Sequence, residues 1–185
     1  DSKADLMTCF MDRAASLTLK KSFWGMINLP SWLFLSSFDA LRRNLLETST
    51  LSSLLQLGRG IFGADFGSVA FVVRTSKTAT GERGYFRRLF DRHVEGRNPN
   101  VIEARFLDKA DGVYFADPSD FTNIPGAPIA YWVNDLVRDL FSREPQLSQM
   151  IEAKQGVATA DNGRFLRQWW EPSRSKTIFD ADADA

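Results

Sequence analysis

The sequence predicts an α/β fold in which helices alternate with the strands of a layered sheet. Apolar residues recur at helical spacing around 6–17 and 38–45. Apolar runs of strand length lie at 24–29, 51–57 and 68–74. The last of these, Ser68-Val-Ala-Phe-Val-Val-Arg74, is continuous, as expected of a strand buried on both faces. Its 185 residues suffice for one domain with a core, or for one domain and a piece of another.

Ser2 with Asp5 reads as a capping box at the start of the first helix, whose apolar face is Leu6, Phe10, Ala14 and Leu17. Trp24 to Leu29 is a strand stopped by Pro30. Ser36 with Asp39 repeats the box pattern before a second helix, with Phe38, Leu41 and Leu45 inward and Arg42, Arg43 and Glu47 on the other side. The strand at 51–57 leads into a loop framed by Gly58, Gly60, Gly63 and Gly67, then into the strand at 68–74. Without a helix between them, the last two strands pair antiparallel at a sheet edge. The order over 1–75 is helix, strand, helix, strand, loop, strand.

Beyond residue 75 the pattern weakens. Residues 75–84 are a polar linker, 85–90 are mixed aromatic and basic, and 101–107 fit helix or strand. Asn123 to Pro128 is a turn. Helices are expected at Ile129–Phe141, with Trp132, Leu136 and Leu140 on one face, and at 146–153. The acidic end, 180–185, reads as a disordered tail.

Formal net charge is zero, which argues weakly against nucleic acid, but the charge is unevenly spread. Residues 59–105 carry nine Lys/Arg against five Asp/Glu, whereas 106–185 carry eight against thirteen. One cysteine, Cys9, excludes an internal disulfide framework and suits a reducing, cytoplasmic setting. With a single histidine, His93, a zinc site is not expected, nor any other metal. No run nears the ~20 apolar residues of a membrane span. The first residue is Asp1, and the chain reads as processed or as a fragment of something larger.

Function enters through resemblance. Asp5-Leu-Met-Thr-Cys-Phe10, Trp24-Gly-Met-Ile-Asn-Leu-Pro-Ser-Trp-Leu-Phe34, Leu41-Arg-Arg-Asn-Leu-Leu46, Leu57-Gly58 with Ile61-Phe62, and Val69-Ala-Phe-Val-Val-Arg74 stand in one order. Together they resemble the part of a class-gamma adenine-N6 DNA methyltransferase that follows its catalytic Asn-Pro-Pro-Tyr. Ile124-Pro-Gly-Ala-Pro-Ile-Ala-Tyr-Trp-Val133 and Gly156-Val-Ala-Thr-Ala-Asp-Asn-Gly-Arg-Phe-Leu-Arg-Gln-Trp-Trp-Glu171 narrow this to the large methyltransferases of the BREX phage-defence system and fused restriction–modification enzymes. The chain departs from the family where a Lys-Pro-Gly-Gly turn is usual; it reads Lys20-Lys-Ser-Phe23, without the glycine that ends a helix.

The resemblance implies the C-terminal part of a Rossmann-like methyltransferase sheet over 1–75 and a connector, mixed and mainly helical, over 76–155. The start of a target-recognition region would occupy 156–179. It implies S-adenosylmethionine as cofactor, DNA as partner, and a missing N-terminal half that holds the glycine-rich cofactor motif and Asn-Pro-Pro-Tyr. No catalytic residue is therefore expected in this chain, and no activity from it alone.

Adenine N6 is reached only when the base leaves the duplex, and stacking on an aromatic face returns about 1–3 kcal/mol. Phe62 stands at the family's stacking position, with Phe66 as second choice; the competing reading is a core aromatic. Arg59, Arg74 and Lys77 are candidate phosphate contacts, with Arg42, Arg43, Arg87 and Arg88 behind them, and a solvated face is the plain reading for any one. Trp32 is either a wall of the DNA cleft or a hydrophobic anchor. Arg164 and Arg167 hold DNA or pair with Asp161 and Glu171. Leu6 and Phe10 are weak cofactor-pocket candidates and otherwise core, Asp5 is a cap, and Cys9 a buried thiol. The competing function is a truncated, non-catalytic remnant that binds DNA or a protein partner.

Overall fold

A computed structural model describes residues 5–63, 66–77, 81–91, 98–145, 149–151, 161–168 and 170–176. The chain divides into two compact units, Asp1–Pro145 and Gln146–Ala185. Ser2, His93, the acidic tail and five of the eight residues of the helix expected at 146–153 lie outside the described residues.

Helix α1 is Leu6–Leu17. It is capped by Asp5 itself, whose carboxylate accepts from the Met7 amide at 2.9 Å, so Asp5 is not the third residue of a box. Its buried face is Met7, Thr8, Met11, Ala14 and Ala15, while Leu6, Phe10 and Leu17 are exposed. The expected stripe thus lies one position off the helix's packed side, since both stripes have helical spacing. Cys9 is exposed rather than buried. Lys21 supplies the left-handed turn after α1 at φ 62°, where glycine is the low-cost residue, and the Thr75 hydroxyl donates to the Leu19 carbonyl across that turn.

Strand β1 is Phe23–Asn28, α2 is Asp39–Thr48, β2 is Thr50–Arg59 and β3 is Gly67–Arg74. Short 3-10 turns occupy Pro30–Leu33 and Ser36–Phe38. Ser36 makes no cap; Asp39 is the first residue of α2 and pairs with Arg43 at 2.9 Å. β2 and β3 do pair antiparallel, but not at an edge. β3 is inserted between β1 and β2, and the region after 75 extends the sheet with β4 (Gly84–Arg88), parallel to β2, and β5 (Val113–Ala116). The order is β1-β3-β2-β4-β5.

Helix α3 is Pro99–Leu107, and α4 is Asp135–Arg143, capped by Asn134. The expected 129–141 helix thus begins late, and Trp132 precedes it. Residues 118–123 form a 3-10 turn, followed by the predicted turn at Pro125-Gly126. In the second unit, α5 is the short Asn162–Phe165.

Cross-strand register sorts the side chains into rows. Trp24, Val73 and Leu51 form one row of the core face, and Met26, Phe71, Leu54 and Phe86 the next. These rows pack on α1, α2, Trp32, Phe121 and Tyr131. The opposite face carries Gly25, Val72, Ser53, Tyr85 and Phe115, then Ile27, Ala70, Leu55 and Arg87. With Phe106, Leu107 and Lys109 of the α3 segment it forms a groove of about 690 Å³. β3 is therefore buried on one face only: Val69, Phe71 and Val73 are buried, whereas Val72 is exposed on the other side. Arg87 ties α3 to the sheet by donating to the carbonyls of Arg105, Phe106, Asp108 and Asp111.

Candidate functional site

Because β1, β2 and β4 run the same way, their carboxyl ends share one rim, the edge at which open α/β sheets bind ligands. The third row of the core face lies there: Asn28, Val69, Gln56 and Arg88. Three of its four members are polar, directly above two apolar rows. Asn28 Oδ1 accepts from Trp32 Nε1 at 3.0 Å, and Gln56 Oε1 accepts from the Tyr131 hydroxyl at 2.7 Å. Burial pushes the Tyr131 phenol well above its ordinary pKa, which keeps it a donor to Gln56.

Arg42 fixes the segments that rise from this rim. Its guanidinium is buried, and it donates from Nη1 to the carbonyls of Trp32 and Leu35, both at 2.8 Å. Nε and Nη2 donate to Gly126 O at 3.0 and 2.6 Å. Burial lowers its pKa, with Asp39 opposing the shift. The loop it holds contains Ala127 at φ 45°, a left-handed conformation outside glycine, and this residue is fully buried. The loop delivers Tyr131 beneath the rim and Trp132 beside it, where Trp132 meets Phe34 with ring centroids 5.5 Å apart. Arg88 lies over three rings, Phe90, Tyr114 and Trp132, at 5.5, 5.9 and 5.8 Å.

The predicted residues fall into three groups. Phe62 stands 62 % exposed in the loop between β2 and β3, between Gly60 at φ 89° and Gly63 at φ 70°. Arg59 ends β2 beside it, and Phe66 is also exposed. Those three share the rim. Trp32 does not line it: the side chain is fully buried against Phe71, because β1's end turns it into the core, so it is an anchor. Arg42 and Arg87 are likewise corrected, since both are buried and spend their donors on backbone carbonyls. Arg74 and Lys77 lie at the other end, where β3 finishes, and Arg43 is engaged by Asp39. Arg164 and Arg167 belong to the second unit; Arg167 donates to the carbonyls of Gly163 and Leu166, and the Arg164 amide to Asp161.

Leu6 and Phe10 share an exposed stripe with Leu17 whose polar member is Arg13. That surface offers an apolar wall, and Asp5 is committed to capping. The described residues do not by themselves fit an S-adenosylmethionine, which carries charged and hydroxyl groups needing partners. Among them no cluster of His, Cys, Asp and Glu has metal-binding geometry, and no helix is long and apolar enough to cross a membrane.

The sequence reading missed the polar row. Its signal was available: in each parallel strand a hydrogen-bonding side chain, Asn28, Gln56 or Arg88, follows two positions after an apolar core-face residue, Met26, Leu54 or Phe86.

No family model matches the chain. It is 35% identical over 188 aligned positions to the adenine-specific methyltransferase BrxX of Escherichia coli O9:H4 (strain HS), covering 98% of this chain and 15% of that protein. It is 32% identical over 184 positions to the adenine-specific methyltransferase PglX of Lacticaseibacillus casei (strain Zhang), covering 96% of this chain and 15% of that protein.

The chain is homologous to a segment of adenine-specific methyltransferases.

It spans about 15% of the length of these relatives. Among solved structures, the M protein of the type I restriction enzyme EcoKI aligns with TM-score 0.40 at 19% identity, over 46% of this chain and 20% of that one. The methyltransferase subunit of a type I restriction–modification system from Streptococcus thermophilus aligns with TM-score 0.45 at 16% identity, over 69% and 29%.

Proposed function

We propose that this chain is a segment of an S-adenosylmethionine-dependent DNA adenine-N6 methyltransferase acting in phage defence or restriction–modification. The observation that carries it is the match of nearly the whole chain to part of two adenine-specific methyltransferases, at 32 and 35% identity.

In this reading the rim forms one wall of the DNA cleft. Phe62, exposed on a glycine-hinged loop, stacks on the adenine once it has left the duplex, and Arg59 beside it holds a phosphate. The remaining 85% of a protein of the relatives' length supplies the cofactor site and the catalytic motif. It also covers the apolar sheet face of Ile27, Val72 and Phe115, so this chain alone transfers no methyl group. Residues 156–179 begin the region that reads the target sequence.

The test is methyl transfer from labelled S-adenosylmethionine to DNA. The longer protein methylates adenine, and its Phe62→Ala variant loses about tenfold or more in kcat/KM, as expected for about 1–3 kcal/mol of stacking. Residues 1–185 alone give no transfer. A Phe62→Ala variant with full activity would remove Phe62 from the site, and transfer by residues 1–185 alone would overturn the segment reading.

A further inference from the structure

We propose that Arg88, Trp132 and Phe34 form a second nucleotide-binding site on the same rim, taking an unstacked base with its phosphate. The proposal rests on the reading of this chain as part of a DNA methyltransferase, and it assigns a role to residues outside the stacking loop.

Four observations carry it. First, the guanidinium of Arg88 has no carboxylate within ion-pairing distance among the described residues. Its polar contact is the Tyr114 hydroxyl, at a long 3.4 Å. Among the described residues Nε and Nη1 make no hydrogen bond, and the side chain is half-buried rather than enclosed. Arg42, Arg87 and Arg105, in contrast, are committed to carbonyls or carboxylates.

Second, the charge is backed by three aromatic rings, those of Phe90, Tyr114 and Trp132, each within 6 Å of the guanidinium carbon. Such a cage orients the planar fork without neutralising it, which suits recognition of phosphate beside a stacked base.

Third, Trp132 and Phe34 are 37 % and 41 % exposed although they touch each other, so aromatic surface remains open beside the cation. A base has a π-face whatever its identity, and a phosphate complements the unpaired charge.

Fourth, the pair is held rigidly. Phe34 follows the turn pinned by Arg42, and Trp132 ends the loop that the same arginine grips at Gly126. The amide of Ile129 also donates to the Leu33 carbonyl at 3.0 Å, and Tyr131 is locked to Gln56. Holding Ala127 at positive φ is a cost that this network sustains, consistent with a loop built to present its end.

The site differs from a purely structural cation–π cluster in what it predicts. Binding of residues 1–185 to a fluorescein-labelled single-stranded oligonucleotide of mixed sequence is measured by anisotropy over a salt series. The variants are Phe34→Ala, Trp132→Ala, Trp132→Phe, Arg88→Gln and Phe62→Ala, each checked for an unchanged circular dichroism spectrum and melt.

Trp132→Ala weakens binding about tenfold, and Trp132→Phe restores most of it, because phenylalanine retains a stacking face. Arg88→Gln weakens binding and lowers the slope of log affinity against log salt by about 0.7, the signature of one lost phosphate contact. A single abasic position in the oligonucleotide, stepped along the strand, abolishes the difference between wild type and Trp132→Ala at one register. For Phe62→Ala it does so at another. If Trp132→Ala does not fold, Phe34→Ala and Arg88→Gln carry the same test from exposed or partly exposed positions.

Loss of affinity in Phe62→Ala, with wild-type affinity and salt slope in the Arg88, Trp132 and Phe34 variants, would overturn this site and leave the methyltransferase reading standing. No binding by the wild-type chain, or binding that no substitution changes, would overturn this site, while methyl transfer by the longer protein tests the methyltransferase reading separately.

Discussion

At the scale of single residues, Arg42 decides more of the rim than any side chain that reaches solvent there. It lies on α2, yet it gathers the carbonyls of Trp32 and Leu35 just before the helix and that of Gly126, 84 positions further on. Each buried carbonyl that loses a charged donor costs on the order of 1–3 kcal/mol. Arg42→Met keeps the stem and removes the fork, and it should destabilise the chain by about 3 kcal/mol in urea unfolding. It should also quicken exchange of the Ile129 amide. A loss under about 1 kcal/mol would mean that the turns stand without it. The sequence showed Arg42 as a cation on a helix's polar side, a natural phosphate contact. Its burial was illegible because the turn at Gly126 could be read from its prolines and glycine, but not the fact that its carbonyl packs against a helix 84 positions earlier in the chain. Phe62 was legible for the opposite reason: two nearby glycines mark an exposed loop without any knowledge of tertiary packing.

At the scale of elements, the strands with long apolar runs were readable, and β4 and β5 were not. β4 is Gly84-Tyr-Phe-Arg-Arg88, where Arg87 is buried by capping α3 and Arg88 is half-buried over rings, so polarity there misstates burial. The α3–β5 connection has an electrostatic lock: Arg105 pairs with Asp111 at 2.5 Å and with Asp91 at 2.9 Å. The hydrogen bond from Arg105 holds the Asp111 carboxyl below its ordinary value. A carboxyl depressed in the folded state contributes stability above its unfolded pKa, about 3.9, and loses that contribution as pH falls from there toward the folded value. Wild type should therefore lose stability between pH 5 and pH 3 more steeply than Asp111→Asn, and the gap between their urea midpoints should narrow in acid. Asp120 acts in the other sense: burial raises its pKa, so its ionisation opposes folding as pH rises through that raised value. Parallel acid limbs for wild type and Asp111→Asn would show that the lock is screened at the surface.

At the scale of the molecule, the first unit has one covered sheet face and one largely open. Phe23, Ile27, Val72 and Phe115 are all exposed on or beside the open face, and β1 pairs on one side only among the described residues. Reading the chain as a fragment implies an exposed apolar edge and association of residues 1–185 alone, but the open face itself is hidden, because the apolar run of β3 reads as doubly buried whatever covers it. Exposed apolar faces and unpaired edges drive association. Residues 1–185 should enhance the fluorescence of an apolar dye and show a mass that rises with concentration in sedimentation equilibrium. Lysine at Ile27 and Val72 together should suppress both effects with little change in the melt. A monomer at high concentration that leaves the dye dark would show that this face needs no cover.

The strand order also sets a sequence of events in time. β2 and β3 join through a short loop, so their hairpin closes fastest, whereas β1 reaches β3 only across the 38 residues from 29 to 66. β3 lies between β1 and β2, so the sheet can grow in both directions only after that hairpin exists. The turn of the hairpin is the loop that carries Phe62. Stiffening or lengthening it would therefore change how quickly the protein refolds, so the base contact proposed for Phe62 would be constrained by folding speed as well.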